Sequence, residues 1–314
     1  MTKALNTELR ILLLLAAVIA VIPVFVSSTY ILRVASLVWI MSLAAVGLHV
    51  LMGLAGQISL GHAGYFAIGA YATALLPKRY GLHPLLALLI GLIISGVIAF
   101  LVGRPILRLK GHYLAIATLG FNLLIALILN SEAGITGGPD GTDVTQLVFR
   151  GDTISSPRAW YWIAAVLLII GTLLSIQLRS SPTGRALRGV LDSEHAAASM
   201  GVDVAARKLQ AFVIAAVYAA VAGSALALMN GFVTPDVAGF MSSVQFVAMI
   251  VIGGAASPFG ALGGAALLTI IPQVFAAFHD YQDVSIGLMI MLAMIFLPKG
   301  IVPTLRNVLS RQPR

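Results

Sequence analysis

The chain has 314 residues, 60% of them hydrophobic and only 10% charged, with a mean hydropathy of +1.02. Soluble domains are about a quarter charged, so this composition excludes a water-soluble globule and points to lipid as the solvent. It contains no cysteine, which excludes disulfides and thiolate metal sites, and its formal net charge of +8 raises the question of where the basic residues lie.

Apolar runs of bilayer-spanning length, roughly 17 to 25 residues, recur along almost the whole chain. They are long rather than alternating, and open sheet edges cannot face hydrocarbon, so helices are expected and a porin-like barrel is not. The expected fold is all-α: a polytopic integral membrane helical bundle of about 8 to 10 transmembrane or re-entrant segments. In chain order the spans fall at about 11–27, 31–52, 58–76, 84–103, 111–130, 159–178, 209–230, 243–256, 259–278 and 283–298. The first follows Lys3 and Arg10 and could be taken for a signal peptide. Pro23 interrupts it and no A-x-A site follows, so it is expected to stay as an anchor.

With the N-terminus in the cytoplasm, segments 1–10, 104–110, 179–208 and 299–314 lie inside and hold 14 of the 19 basic residues, leaving Arg33, Lys78, Arg79, Arg150 and Arg158 outside. The positive-inside rule therefore gives N-in and C-in, and accounts for the basic excess without nucleic acid. All 11 carboxylates fall in loops, tails or span ends. Proton-coupled carriers usually keep one at membrane depth, so that class is disfavoured. No H-E-x-x-H, G-x-S-x-G or G-x-x-x-x-G-K-[ST] pattern occurs, and no two histidines share a helical i, i+3 or i, i+4 spacing. Neither catalysis nor a metal site is expected.

The third span opens with GLAGQISLGHAGYFAIGAYATALL, Gly53 to Leu76. Gly53, Gln57 and Gly61, and Gly56, Leu60 and Gly64, recur at four-residue spacing, which suits close helix contact in lipid. Glycine also weakens a helix by about 1 kcal/mol against alanine, so a break is expected near Gln57, Ser59, His62 and Tyr65. A second stretch, GGAASPFGALGGAALL from Gly253 to Leu268, combines Gly253, Gly254, Ser257 and Pro258 ahead of another alanine-rich helix. Paired glycine-interrupted segments in the two halves of a transporter mark a permeation pathway; tight packing alone is the alternative, and the two are compatible.

The loop 179–208 contains SPTGRALRGVLDSEHAAASMGVDVAARK. Ser181 and Pro182 predict one helix start, and Ser193 as N-cap with Glu194 on the dipole a second, short helix that stops at Gly201. A helix this short needs a docking surface. Its alanines offer a flat face, with Arg185, Arg188, Asp192 and Glu194 at the rim.

SEHAAASMGVD resembles the EAA-type coupling segment of ATP-binding-cassette importer permeases. Together with the Gly53 stretch, GHYLAIATLGF from Gly111, GITGGPDGT from Gly134 and GRALRGVLDSEHAAASMGVDVAARKLQAFVIAA from Gly184, the chain resembles the branched-chain amino acid permease family of LivM type over about residues 35–297. After ATLGF many members carry a Glu and an Arg, whereas this chain has Asn122 and then only apolar residues up to Asn130.

The resemblance implies a multi-pass subunit of the bacterial inner membrane, a single permease domain over 1–314 with 179–208 as its cytoplasmic coupling loop. The implied partners are a second related permease, two ATPase subunits and an extracytoplasmic substrate-binding protein. No cofactor is expected on this chain, with ATP and Mg on the ATPase subunits. Gln57, Ser59, His62, Tyr65, Gly253, Gly254 and Ser257 are the expected substrate pathway. Arg185, Asp192, Ser193, Glu194, Ala196, Ala197 and Gly201 are the expected coupling element. An ATP-independent facilitator of small polar solutes is the runner-up, and a non-transporting scaffold the third class.

Overall fold

The structure is a computed structural model that describes residues 2–26, 28–149, 152–153, 156–274, 287 and 291. The expected span 283–298, the C-terminal tail 299–314 and the end of the span 259–278 therefore lie largely outside the described residues. The helices in chain order are α1 (Thr2–Phe25), α2 (Thr29–His49), α3 (His62–Tyr80), α4 (Pro84–Ile106), α5 (His112–Ser131), a four-residue α6 (Ala133–Thr136), α7 (Pro157–Ser180), α8 (Pro182–Asp192), α9 (Glu194–Ser199), α10 (Val204–Asn230), α11 (Phe240–Gly253) and α12 (Pro258–Val274). Strand structure amounts to β1 (Thr142–Asp143) paired antiparallel with β4 (Phe232–Val233), and β2 (Val148–Phe149) with β3 (Asp152–Thr153). The chain is an all-α polytopic membrane protein.

Six of the described segments are long and apolar enough to cross a bilayer, including Thr29–Leu54 with 26 residues and Val204–Asn230 with 27. These two are the buried centre of the bundle, while α1, α4 and α5 show leucines and isoleucines on their outer faces. The centre can be tight because α10 is lined with small side chains: Ala211, Ala215, Ala216, Ala219 and Ala220 are all buried. A Cβ on Gly69 of α3 would strike the backbone of Ala220, and one on Gly223 of α10 would strike that of Phe66. Such backbone approach lets dispersion and weak polar contacts hold helices together where water gives no hydrophobic drive.

α11 and α12 form an antiparallel hairpin seamed by Gly253, Gly260 and Gly264, each of which faces the backbone of the opposite helix. α11, with 14 residues, is about 21 Å long, short of a hydrocarbon core of about 30 Å.

The bundle has two distinct ends. At one, α8 and α9 sit beside the last turn of α7 and the first turn of α10, and Arg179 of α7 bonds Glu8 of α1 at 2.6 Å. At the other, β1 joins β4, Lys78 donates to Thr142 at 3.0 Å, and Tyr30 reaches Gln273 Oε1 at 3.3 Å. All charged residues in these contacts lie near helix ends, as lipid demands.

Candidate functional site

The glycine-rich stretch does break the backbone, but between two helices rather than within one. α2 loosens after His49 into a π-helical turn, Val50–Leu54, and ends at Gly56, whose φ of +66° is left-handed. Gln57 N–H closes this end by donating to Leu51 O at 3.1 Å, one residue further back than the 6→1 bond of a Schellman cap, as the π turn Val50–Leu54 adds a residue. α3 begins only at His62, four residues later than the expected span. Residues 55–61 are thus an irregular connection at the α8 end.

Its polar groups are satisfied locally. The Gln57 amide donates to Ala55 O at 2.9 Å and Ser59 Oγ accepts from Gly61 N at 3.3 Å. Leu60 N donates to Thr118 Oγ1 of α5 at 3.0 Å, which fastens the connection to a neighbouring helix. His62 Nε2 donates to Ala44 O of α2 at 2.9 Å, a geometry that puts its proton on that nitrogen. Gln57, Ser59, His62 and Tyr65 are all buried.

Above the connection lies a set of rings. Tyr65 stacks on Phe121 with centroids 4.8 Å apart and meets Phe212 edge-on at 5.7 Å, while His62 meets Phe246 of α11 edge-on at 5.3 Å. The Tyr65 hydroxyl and Asn122 Oδ1 are buried with no hydrogen-bond partner among the described residues. A buried polar atom left this way costs about 1–3 kcal/mol. Asn122 was the departure from the family pattern in sequence; it is fully buried, donates to Ala238 O at 2.9 Å and stands against Gly64.

The second glycine stretch reaches the same place. α11 ends at Gly253, Gly254 turns with φ +102°, and Ser257 caps α12, its Oγ accepting from Phe259 N at 3.3 Å. A Cβ on Gly53 would collide with Ala255 O and the His49 ring, so the two glycine-interrupted segments touch at Gly53 and Ala255. His62 and Phe246 join them a turn further in. Gln57 and Ser59, by contrast, are held by their own neighbours in the connection.

α8 and α9 start as the sequence predicts. Ser181 Oγ accepts from Gly184 N at 3.1 Å and Ser193 Oγ from Ala196 N at 3.3 Å. Gly201 has φ +83° and open space where a Cβ would stand. Ala197 is buried; Ala196, Asp192, Arg185 and Met200 face outward, Met200 being 83% exposed. Glu194, with its side chain 33% exposed, also bonds Lys208 Nζ at 2.5 Å, and the Lys208 side chain is only 4% exposed. Lys208 escaped sequence reasoning because a lysine at the end of a cytoplasmic loop looks solvated; only the carboxylate 14 residues back reveals its partner. Leu191 of α8 escaped too. Its Cδ1 fills the place of a Cβ on Gly56, so α8 rests directly on the irregular connection.

Residues 30–297 match the family model described as branched-chain amino acid transport system, permease component. The chain belongs to this permease family. It is 34% identical to the high-affinity branched-chain amino acid transport system permease protein LivM of Escherichia coli strain K12, over 96% of this chain and 76% of the relative. The protein of the same name from Salmonella typhimurium is 33% identical over the same shares. LivH of Escherichia coli strain K12 is 26% identical over 83% of this chain and 90% of its own length. No solved structure matches. The family match covers the connection 55–61, α8, α9 and the α11–α12 hairpin together.

Proposed function

We propose that this chain is the LivM-type permease subunit of an ATP-binding-cassette importer for amino acids, branched-chain ones first. Its whole length, 1–314, acts as one permease domain, N-in and C-in in the bacterial inner membrane, with 179–208 as the loop that receives ATPase motion. The clustering of Arg104, Arg108, Lys110, Arg179, Arg185, Arg188 and Arg207 in the segments at the α8 end supports that orientation. A second permease, two ATPases carrying ATP and Mg, and an extracytoplasmic binding protein complete the assembly. This chain makes and breaks no bonds.

The observation that carries the reading is the seat of the 55–61 connection, with Leu191 of α8 against Gly56 and the turn after Gly253 against Gly53. A displacement of α8 and α9 by a partner would press on Gly56 and reach Gln57, Ser59 and His62 through a few residues of backbone. The hairpin turn, held by Gly254 and Ser257, would shift with it. Bistable packed contacts of this kind are what convert a small push into a changed pathway. Tyr65 and Asn122, with unpaired polar atoms above the connection, are positioned to meet a polar solute.

Two measurements test this. Affinity purification from native membranes in mild detergent should bring a second permease and ATPase subunits with this chain. Uptake into vesicles should require ATP, and Gln57→Ala and Ser59→Leu should change its kinetics without loss of assembly. Recovery of the chain alone, with solute flux in liposomes lacking ATP, would make it a facilitator instead.

A further inference from the structure

At the β1 end a cavity of about 310 Å³ opens between α2, α3, α10 and β4. It differs from two other cavities among the described residues, which are lined almost wholly by apolar side chains such as Leu92 and Phe100, or Ile31 and Val38. Its wall includes Arg33, Asn230 and Thr234 beside Leu226, Val233 and Val237. Arg33 is the one charged residue of α2, and among the described residues it has no carboxylate within ion-pair distance.

The hydrogen bonds already made decide what is left over. Arg33 donates to Asn230 Oδ1 at 3.5 Å, which engages one lone pair of the amide oxygen and leaves the amide N–H groups and most of the guanidinium as donors. Thr234 donates its proton to Asp236 Oδ2 at 3.3 Å, which leaves its oxygen as an acceptor with a carboxylate behind it. One side of the cavity therefore offers positive donors, another an acceptor backed by negative charge, and the third is aliphatic.

We infer that this cavity is a binding site for a zwitterionic α-amino acid with an aliphatic side chain. Its carboxylate lies on Arg33 and Asn230, its ammonium on the Thr234 hydroxyl oxygen, with Asp236 behind that hydroxyl outside the wall, and its side chain on Leu226, Val233 and Val237. The volume lies in the range of small-molecule sites, and a guanidinium beside an amide is well suited to a carboxylate. The loop 131–158 supports the wall: Thr142 pairs with Val233, and a Cβ on Gly141 would meet the Val233 carbonyl. The inference rests on the amino acid reading above and adds a first station for the solute at the end opposite α8.

The chain has no cysteine, so Phe232→Cys, 42% exposed at the cavity rim, gives it a single thiol. In right-side-out membrane vesicles carrying the full chain, labelling by a membrane-impermeant maleimide is timed with L-leucine, with isocaproate, which lacks the ammonium, and with leucinol, which lacks the carboxylate. Leucine should slow labelling most, isocaproate less and leucinol not at all. Arg33→Gln should abolish the protection. Equal slowing by leucine and leucinol, no slowing by leucine, or a labelling rate that follows anionic lipid content instead would overturn the site.

Should the thiol be covered by a partner, the KM for leucine uptake decides: about tenfold higher in Arg33→Gln, the loss of one charge-assisted bond, and partly restored in Arg33→Lys. An unchanged KM overturns the inference. Labelling needs neither ATP nor a partner, so a failed cavity and a failed importer reading give different results.

Discussion

Leu191, in the last turn of α8, lies on Gly56, the left-handed residue that ends α2. This contact joins the surface helices directly to the connection 55–61, whose Gln57 and Ser59 are buried. Trimming it in Leu191→Ala removes the push but no buried polar group, so assembly and ATP hydrolysis should persist while uptake per ATP falls several-fold. A coupled assay of phosphate release and uptake in proteoliposomes reads both; a normal ratio would remove Leu191 from the coupling route.

Glu194 and Lys208 should behave asymmetrically. Glu194→Gln leaves the buried ammonium of Lys208 without its partner, and the Glu194 side chain, 33% exposed, moderates the loss to about 2 kcal/mol. The double variant Glu194→Gln, Lys208→Met should regain most of it. Glu194→Arg, which places like charges together, should lower the melting temperature in detergent the most. Equal melting of all three would mean that the pair is solvated.

Thr118 holds the connection through Leu60 N. Thr118→Val should destabilise by about 1 kcal/mol and raise hydrogen exchange at Leu60, and Thr118→Ser, which keeps the hydroxyl, should not. Exchange measured by mass spectrometry on the purified complex distinguishes the two.

The seam between α3 and α10 should tolerate no side chain. Gly69→Ala and Gly223→Ala each drive a methyl into backbone, of Ala220 and Phe66, and should lose several kcal/mol and most of the folded yield. Gly120→Ala, where a Cβ meets nothing within 4 Å, should be neutral. Gly201→Ala has space as well, but its φ of +83° should still cost about 1 kcal/mol. Fluorescence-detected size exclusion of the four variants orders them.

The sequence by itself determined the solvent and the helices. The lack of charge over long runs leaves the backbone no choice but to satisfy its hydrogen bonds within each segment, so six of the expected spans are helices long and apolar enough to cross a bilayer. The caps at Ser181 and Ser193 were equally legible, because an N-cap depends on residues one to three positions away. So was the need for a break near Gln57, since glycine acts through its own backbone.

Only the tertiary structure decided where that break sits and what it touches. The stretch from Gly53 reads as one interrupted span because hydropathy does not register that Gly56 turns left-handed and that Leu60 then hangs on Thr118, 58 residues away. The meeting of Gly53 with Ala255 and the convergence of Arg33 with Asn230 and Thr234 on one cavity depend on segments far apart in sequence, and the pairing of Glu194 with Lys208 depends on how two successive helices pack. Periodicity reports which face of a helix is apolar, whereas the partner of each polar group is fixed by the packing of that face against its neighbours.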